Sequence, residues 1–179
     1  MEIGGLTKEL YLEQYNRLTP REKEVLQEVA RGFPNEQTGA NLGISPKTVE
    51  THKHSIAMSL SELAPPLEGF SKRPYSKVLF RGVDLGVRFG VLKYPYSLSS
   101  SNIVTTMQDK IISQLALGMT NEEIGYVLDR DKKTIERHIS NLRRRMGITN
   151  GRMEIVSLSS ALKRDGHYHV MRPDTEYYF

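Results

Sequence analysis

Apolar residues recur along the chain at helical rather than alternating spacing, and the arrangement occurs twice. In LTPREKEVLQEVARG, Thr19 precedes Pro20 with Glu22 three residues on, which predicts a capping box and a proline-opened first turn. Val25, Leu26 and Val29 then form an apolar stripe, and Gly32 stops it. Eighty-six positions later Thr105 and Gln108 offer the same cap, Ile111, Ile112 and Leu115 the same stripe, and Gly118 the same stop. A short second helix follows each glycine. Thr120 and Glu123 cap it before Ile124 and Leu128, whereas Pro34 replaces that threonine in the first copy and predicts a weaker start.

The third segment opens at Ser45 with Pro46, or at Asp131 in the second copy. Ile135, Ile139, Leu142 and Met146 recur at i, i+4, i+7 and i+11 and define a buried face. Glu136, Arg137, Ser140, Arg143 and Arg144 lie opposite. The first copy places Val49, Ile56 and Leu60 inside and Glu50, Thr51, His54 and Ala57 outside. Lys53 stands where the second copy has Ile139, so its apolar stem is expected to snorkel at the edge of the core.

The match runs without a gap from residue 18 to residue 60, and KTVETH at 47 to 52 returns as KTIERH at 133 to 138. This is an internal duplication. With 179 residues, two small domains fit better than one large one. No cysteine is present, so disulfides and thiolate metal sites are excluded. No apolar run approaches the roughly 20 residues of a membrane span, and the first residues lack a signal-peptide core. These features point to a cytoplasmic protein.

The net charge of +4 is unevenly placed. Residues 130–145 hold seven Arg or Lys against two acids, while residues 47–62 hold two Lys against two Glu. A short helix, a brief turn and a capped helix with a polar outer face make a helix-turn-helix, whose second helix can enter the DNA major groove. Two histidines in HYHV, His167 and His169, bring no third ligand and read as a polar tail rather than a metal site. The glycines of RGVDLGVRFG lack a P-loop lysine and threonine and read as turns and helix ends. No nucleophile, acid cluster or cofactor motif suggests an enzyme.

The segments LTPREKEVLQEVARG, NLGISPKTVETH and TNEEIGYVLDRDKKTIERHISNLRRRMGITNGRMEIV resemble the LuxR-type (GerE-like) DNA-binding domain of bacterial regulators. The resemblance covers roughly residues 15–60 and 103–162. It implies an all-α fold of two tandem four-helix LuxR-type domains. In each, a third helix would read double-stranded DNA and a fourth would pack against a partner domain. The expected layout is an N-terminal extension at 1–13, a first domain at 14–93 with an insertion around 61–74, a linker at 94–102, a second domain at 103–164 and a tail at 165–179. By the same resemblance, Glu50, Thr51 and His54 in copy one and Glu136, Arg137 and Ser140 in copy two face base edges.

Arg137 suits a bidentate contact to guanine, and Glu136 can accept from a cytosine amino group or hold Arg137. Lys132, Lys133, Thr134, His138, Arg143, Arg144 and Arg145 are candidate phosphate contacts, with Lys47, Thr48, His52 and Lys53 their counterparts. Ala57, Met58 and Ser59 replace the triple arginine, so copy one is expected to bind DNA more weakly. The plainer alternatives are solvated helix charges and a fold kept only for protein contacts.

With about a dozen residues ahead of the first copy, the sequence suggests no sensor domain and a covalent pair acting as a built-in dimer. Val78, Leu79, Val83, Ile155, Leu158 and Leu162 are the expected partner-facing residues of the fourth helices. They suit a homodimer, an intramolecular pseudo-dimer, or a contact with RNA polymerase or another LuxR-type regulator. The last contact would make the chain an antiactivator or co-regulator.

Overall fold

The computed structural model describes residues 2–3, 5–63, 74–94 and 103–171. Most of the expected insertion, nearly all of the linker and the last eight residues of the tail lie outside these. Copy one opens with a small antiparallel pair, β1 (Glu2–Ile3) and β2 (Leu6–Thr7), followed by α1 (Lys8–Asn16), α2 (Pro20–Ala30), α3 (Asn35–Leu42) and α4 (Pro46–Ser59). A 3-10 turn at Ser61–Leu63 follows, then α5 (Pro74–Arg88). Copy two comprises β3 (Ile103–Thr105), α6 (Thr106–Ala116), α7 (Asn121–Leu128), α8 (Lys132–Met146), α9 (Arg152–Arg164) and β4 (His169–Met171).

The helix starts form as the sequence dictates. Full capping boxes are made by Thr19 with Glu22, Thr105 with Gln108 and Thr120 with Glu123. Pro34 gives α3 no side-chain cap, while Ser45 and Asp131 cap the third helices through Thr48 and Thr134. The turn between second and third helix is tight in both copies. A Cβ on Gly39 would lie 2.6 Å from the Ile44 carbonyl oxygen, and one on Gly125 would lie 2.5 Å from that of Arg130. The duplicated glycines are therefore required by backbone approach, not by local flexibility.

The N-terminal extension contributes to copy one's core. Tyr11 of α1 is fully buried, its ring 5.8 Å from that of Phe89. At the other end, the tail returns through β4, which pairs in parallel with β3, and the Tyr168 hydroxyl donates to Asp109 at 2.7 Å. Two expectations are corrected. Ala57 is buried, because this end of α4 turns inward toward α5. Gly82 and Gly86 are interior residues of α5 and not turns. Their missing side chains make room for Leu60 and for Tyr11 with Leu92, respectively, and only Gly90, at φ +74°, ends the helix as expected.

The fourth helices, α5 and α9, pack against each other. Val78, Leu79, Val83, Ile155, Leu158 and Leu162 are all buried, so they form no exposed apolar patch. Ser160 donates to the Asp84 carboxylate at 2.7 Å in the middle of this contact, and Arg164 donates to the Val87 carbonyl at 3.2 Å. The duplicated stop glycines play matching parts: Gly32 lies against Glu154 of copy two, and Gly118 against Lys77 of copy one. The glycines are 86 positions apart but Lys77 and Glu154 are 77 apart, so copy one holds nine more residues between its third and fourth helices. Across the seam, Tyr94 donates to Glu154 at 3.0 Å and the Arg152 guanidinium lies over the Phe80 ring at 5.8 Å.

Gly118→Ala tests this docking. At φ +74° it meets the left-handed penalty of about 1–2 kcal/mol, and its Cβ would approach the Lys77 Cα to 2.4 Å. Gly147→Ala, at φ +65° with nothing within 4 Å, meets only the first cost. Urea unfolding should show Gly118→Ala the less stable by roughly 1–3 kcal/mol; equal values would mean the copies do not touch there.

Candidate nucleic-acid interface

Helix α8 separates a buried row from an exposed polar one. Ile135, Ile139, Leu142 and Met146 are buried against copy two's core. Lys132, Lys133, Glu136, Arg137, Ser140, Arg144 and Arg145 are exposed, and Thr134, His138 and Arg143 are half-buried. The start of the helix is fixed by Asp131, whose carboxylate accepts from the Thr134 amide at 2.8 Å and its hydroxyl at 2.7 Å. These bonds from Thr134 hold the Asp131 pKa below its ordinary value. The Thr134 hydroxyl is thus engaged locally.

The side chains of Lys132, Lys133, Glu136, Arg137 and Ser140 make no hydrogen bond or ion pair among the described residues, which leaves their groups available to a ligand. Beside them His138 has its pKa lowered by burial first and then by the charges of Arg137 and Arg130. That shift favours the neutral imidazole, a hydrogen-bond donor or acceptor, over the cation. The three arginines differ. Arg144 reaches only Asn141, one turn back, at 3.2 Å. Arg143 donates to the Thr149 carbonyl at 3.0 Å and ties the helix end to the following loop. Arg145 donates to the Ile103 carbonyl at 2.5 Å and to Gln108 at 3.3 Å, bracing β3 and the start of α6.

Helix α4 carries its candidates in a more engaged setting. Lys47, Thr48, Glu50, Thr51 and His54 are exposed and His52 is half-buried. Glu50, however, accepts from the Asn35 amide on one oxygen and from the Tyr75 hydroxyl on the other, both at 2.8 Å. The Tyr75 ring also meets His54 edge-on, with centroids 6.1 Å apart. Lys53 is mostly buried and donates to Asn35 at 2.5 Å, and desolvation pushes its pKa down. Thr51 bonds back to the Lys47 carbonyl at 3.1 Å and Thr48 to Ser45 at 2.8 Å.

Asn35 and Tyr75 were not legible as site residues. Their involvement depends on contacts 15 and 25 residues away along the chain. On α7, Tyr126 and Val127 are 78% and 46% exposed, large apolar side chains beside the turn that leads into α8. Their offset from the Ile124 and Leu128 stripe was the available signal. No group of three or more potential metal ligands occurs among the described residues, and no described helix is long and apolar enough to cross a membrane.

The model of the family "Bacterial regulatory proteins, luxR family" matches residues 16–61 and 102–159. Among curated proteins, the response regulator protein TodT of Pseudomonas putida is 48% identical over 44 residues, covering 25% of this chain and 19% of that protein. The uncharacterized transcriptional regulatory protein YhcZ of Bacillus subtilis is 48% identical over 48 residues, 27% of this chain and 22% of its own length. TmoT of Ectopseudomonas mendocina, a response regulator protein, is 48% identical over 42 residues, 24% and 19% of the two chains. The matches therefore span about a fifth of these relatives. No solved structure matches the chain.

The bonding of the arginines predicts a split in their effects on stability. Arg145→Ala should lower the unfolding free energy by about 1–2 kcal/mol through loss of two bonds near the α6 start. Arg144→Ala should change it by less than about 0.5 kcal/mol. Chemical denaturation of the two variants distinguishes a bracing arginine from a surface one.

Proposed function

The chain belongs to the luxR family of bacterial regulatory proteins, and on that premise we propose that it is a transcription regulator reading double-stranded DNA chiefly through α8. The observation that carries this reading is the unengaged row on α8. Glu136, Arg137 and Ser140 present hydrogen-bonding groups, with Lys132 and Lys133 at the helix start and Arg144 further along. Arg137 can grip the O6 and N7 of a guanine in the major groove. The lysines and Arg144 supply phosphate contacts that set register without reading sequence. Arg143 and Arg145 already hold carbonyls, so their share of phosphate binding comes from their remaining N–H groups.

Copy one contributes less. Its Glu50 is held by Asn35 and Tyr75, Lys53 is mostly buried, and the position of the triple arginine carries no charge. Its role is to complete a covalent pseudo-dimer whose fourth helices are joined within one chain, replacing concentration-dependent association by an intramolecular one. RNA polymerase or a second regulator is the protein partner that transcription control adds, and the reading places the chain in the bacterial cytoplasm, at the nucleoid when bound. It requires neither a cofactor nor a catalytic step. The alternative of a co-regulator that seizes another LuxR-type protein needs free fourth helices, and α5 and α9 cover each other.

Binding to genomic promoter fragments across a salt series tests the reading. Selective binding should weaken with salt at about 0.9 log units per phosphate contact. Arg137→Ala should cost about 1–3 kcal/mol on the preferred site and relax its sequence preference. Arg144→Ala should weaken all fragments alike and reduce the salt slope by roughly 1. Lys47→Ala in copy one should cost less than Lys133→Ala in copy two. Absence of selective binding at every salt concentration, or a dominant effect from copy one, would contradict it.

A further inference from the structure

The two copies meet through residues that differ between them, and the differences are complementary. Gly118 meets Lys77 as Gly32 meets Glu154, so the two-fold relation equates Lys77 with Glu154, Val83 with Ser160 and Asp84 with Ala161. On the second helices, Glu123 corresponds to Gln37. In the chain as folded, the Lys77 ammonium lies 3.5 Å from the Glu123 carboxylate, with both side chains under 10% exposed. Asp84 is likewise buried, accepting from Ser160 of the other copy on one oxygen and from Arg81 of its own helix, at 3.1 Å, on the other.

We infer that Lys77, Asp84, Glu123 and Ser160 code this interface for one copy of each kind, so that each copy rejects a second copy of itself. Two copies of the second kind would place Glu154, whose carboxylate caps the Thr149 and Asn150 amides, where Lys77 stands, so that the buried Glu123 would lose a cation and gain a second carboxylate beside it, twice by symmetry. Two copies of the first kind would set Lys77 against the Gln37 amide in place of the Glu123 carboxylate, again twice. Asp84 would face Val83 in that case, losing its hydroxyl partner and keeping only Arg81 of its own helix. A buried pair stabilises little against an apolar replacement, but removing one partner, or opposing like charges, is strongly unfavourable. The code therefore acts mainly by exclusion. Arg152 also bears on Glu123, but it belongs to the same copy and is present in every pairing. The inference concerns how the copies assemble and stands independently of DNA reading.

The full-length chain can carry each rejected contact as a point variant. Lys77→Glu builds the Glu–Glu contact of two second copies, and Glu123→Gln builds the Lys–Gln contact of two first copies. Glutamine keeps the amide-capping oxygen that Glu123 supplies to Thr120, as Gln108 does for Thr105. The double variant sets Glu against Gln, a contact with no like-charge clash. Thermal unfolding should show Lys77→Glu melting lower than wild type by roughly 6 °C or more. Glu123→Gln should fall by less, and adding it to Lys77→Glu should return at least half of the larger loss. If Lys77→Glu does not fold, recovery of a cooperative transition in the double variant shows the same coupling. Additive losses in the double variant, no loss in Lys77→Glu, or a double variant that also fails to fold would overturn the inference.

Discussion

The packing of α5 on α9 is the constraint on which the rest of the molecule depends. Each fourth helix has one face toward its own copy and another toward the other copy. The close approach is licensed by Gly32 and Gly118, where a side chain would strike the opposite helix. Because those glycines also terminate α2 and α6, the end of each copy's first long helix is set by contact with its neighbour. Ala161 and Met153 of α9 pack into copy one's core and Phe80 of α5 packs against copy two's, which supplies the non-directional part of the stability, and the Ser160 to Asp84 bond fixes which surfaces face each other.

From that seam the copies diverge in what they offer outward. Copy two keeps a simple arrangement in which α8 is braced at its start by Asp131 and at its end by Arg143 and Arg145, leaving Glu136 and Arg137 unengaged. In copy one the residues before α5 lengthen the path, and Tyr75 reaches α4 and binds Glu50. The residue at the matching place on α9 is Arg152, which turns instead to the Met119 carbonyl and the Phe80 ring. Nine additional residues and one change from arginine to tyrosine thus accompany a shift from a polar face open to a ligand to one tied to its own domain.

Much of this was legible in the sequence because it is local. Capping boxes, proline starts, the stop glycines and the i, i+4, i+7 stripe of α8 each depend on residues within a few positions of one another, and all formed as read. The duplication made the second helix and the turn secure, since an error would have had to occur twice. What depended on distant contacts was not legible. Gly82 and Gly86 look like breaks to any local rule, yet they lie within α5 because Leu60, Tyr11 and Leu92 fill the space beside them. Ala57 was assigned outward by extending the helical period, and the packing of α4 on α5 placed it inside. The clasp of Tyr75 on Glu50, and the meeting of Lys77 with Glu123, join positions at different offsets in the two copies, which a single alignment of the repeats cannot reveal.

If the seam holds the copies as one unit, they must open together. Native-state hydrogen exchange followed residue by residue measures this most directly. The account predicts that amides in the centre of α5 and α9, and of α2 and α6 behind them, exchange with one common opening free energy close to that of global unfolding. A markedly lower value for α2 and α5 than for α6 and α9, with copy two still fully protected, would show two independent domains in contact and contradict the account.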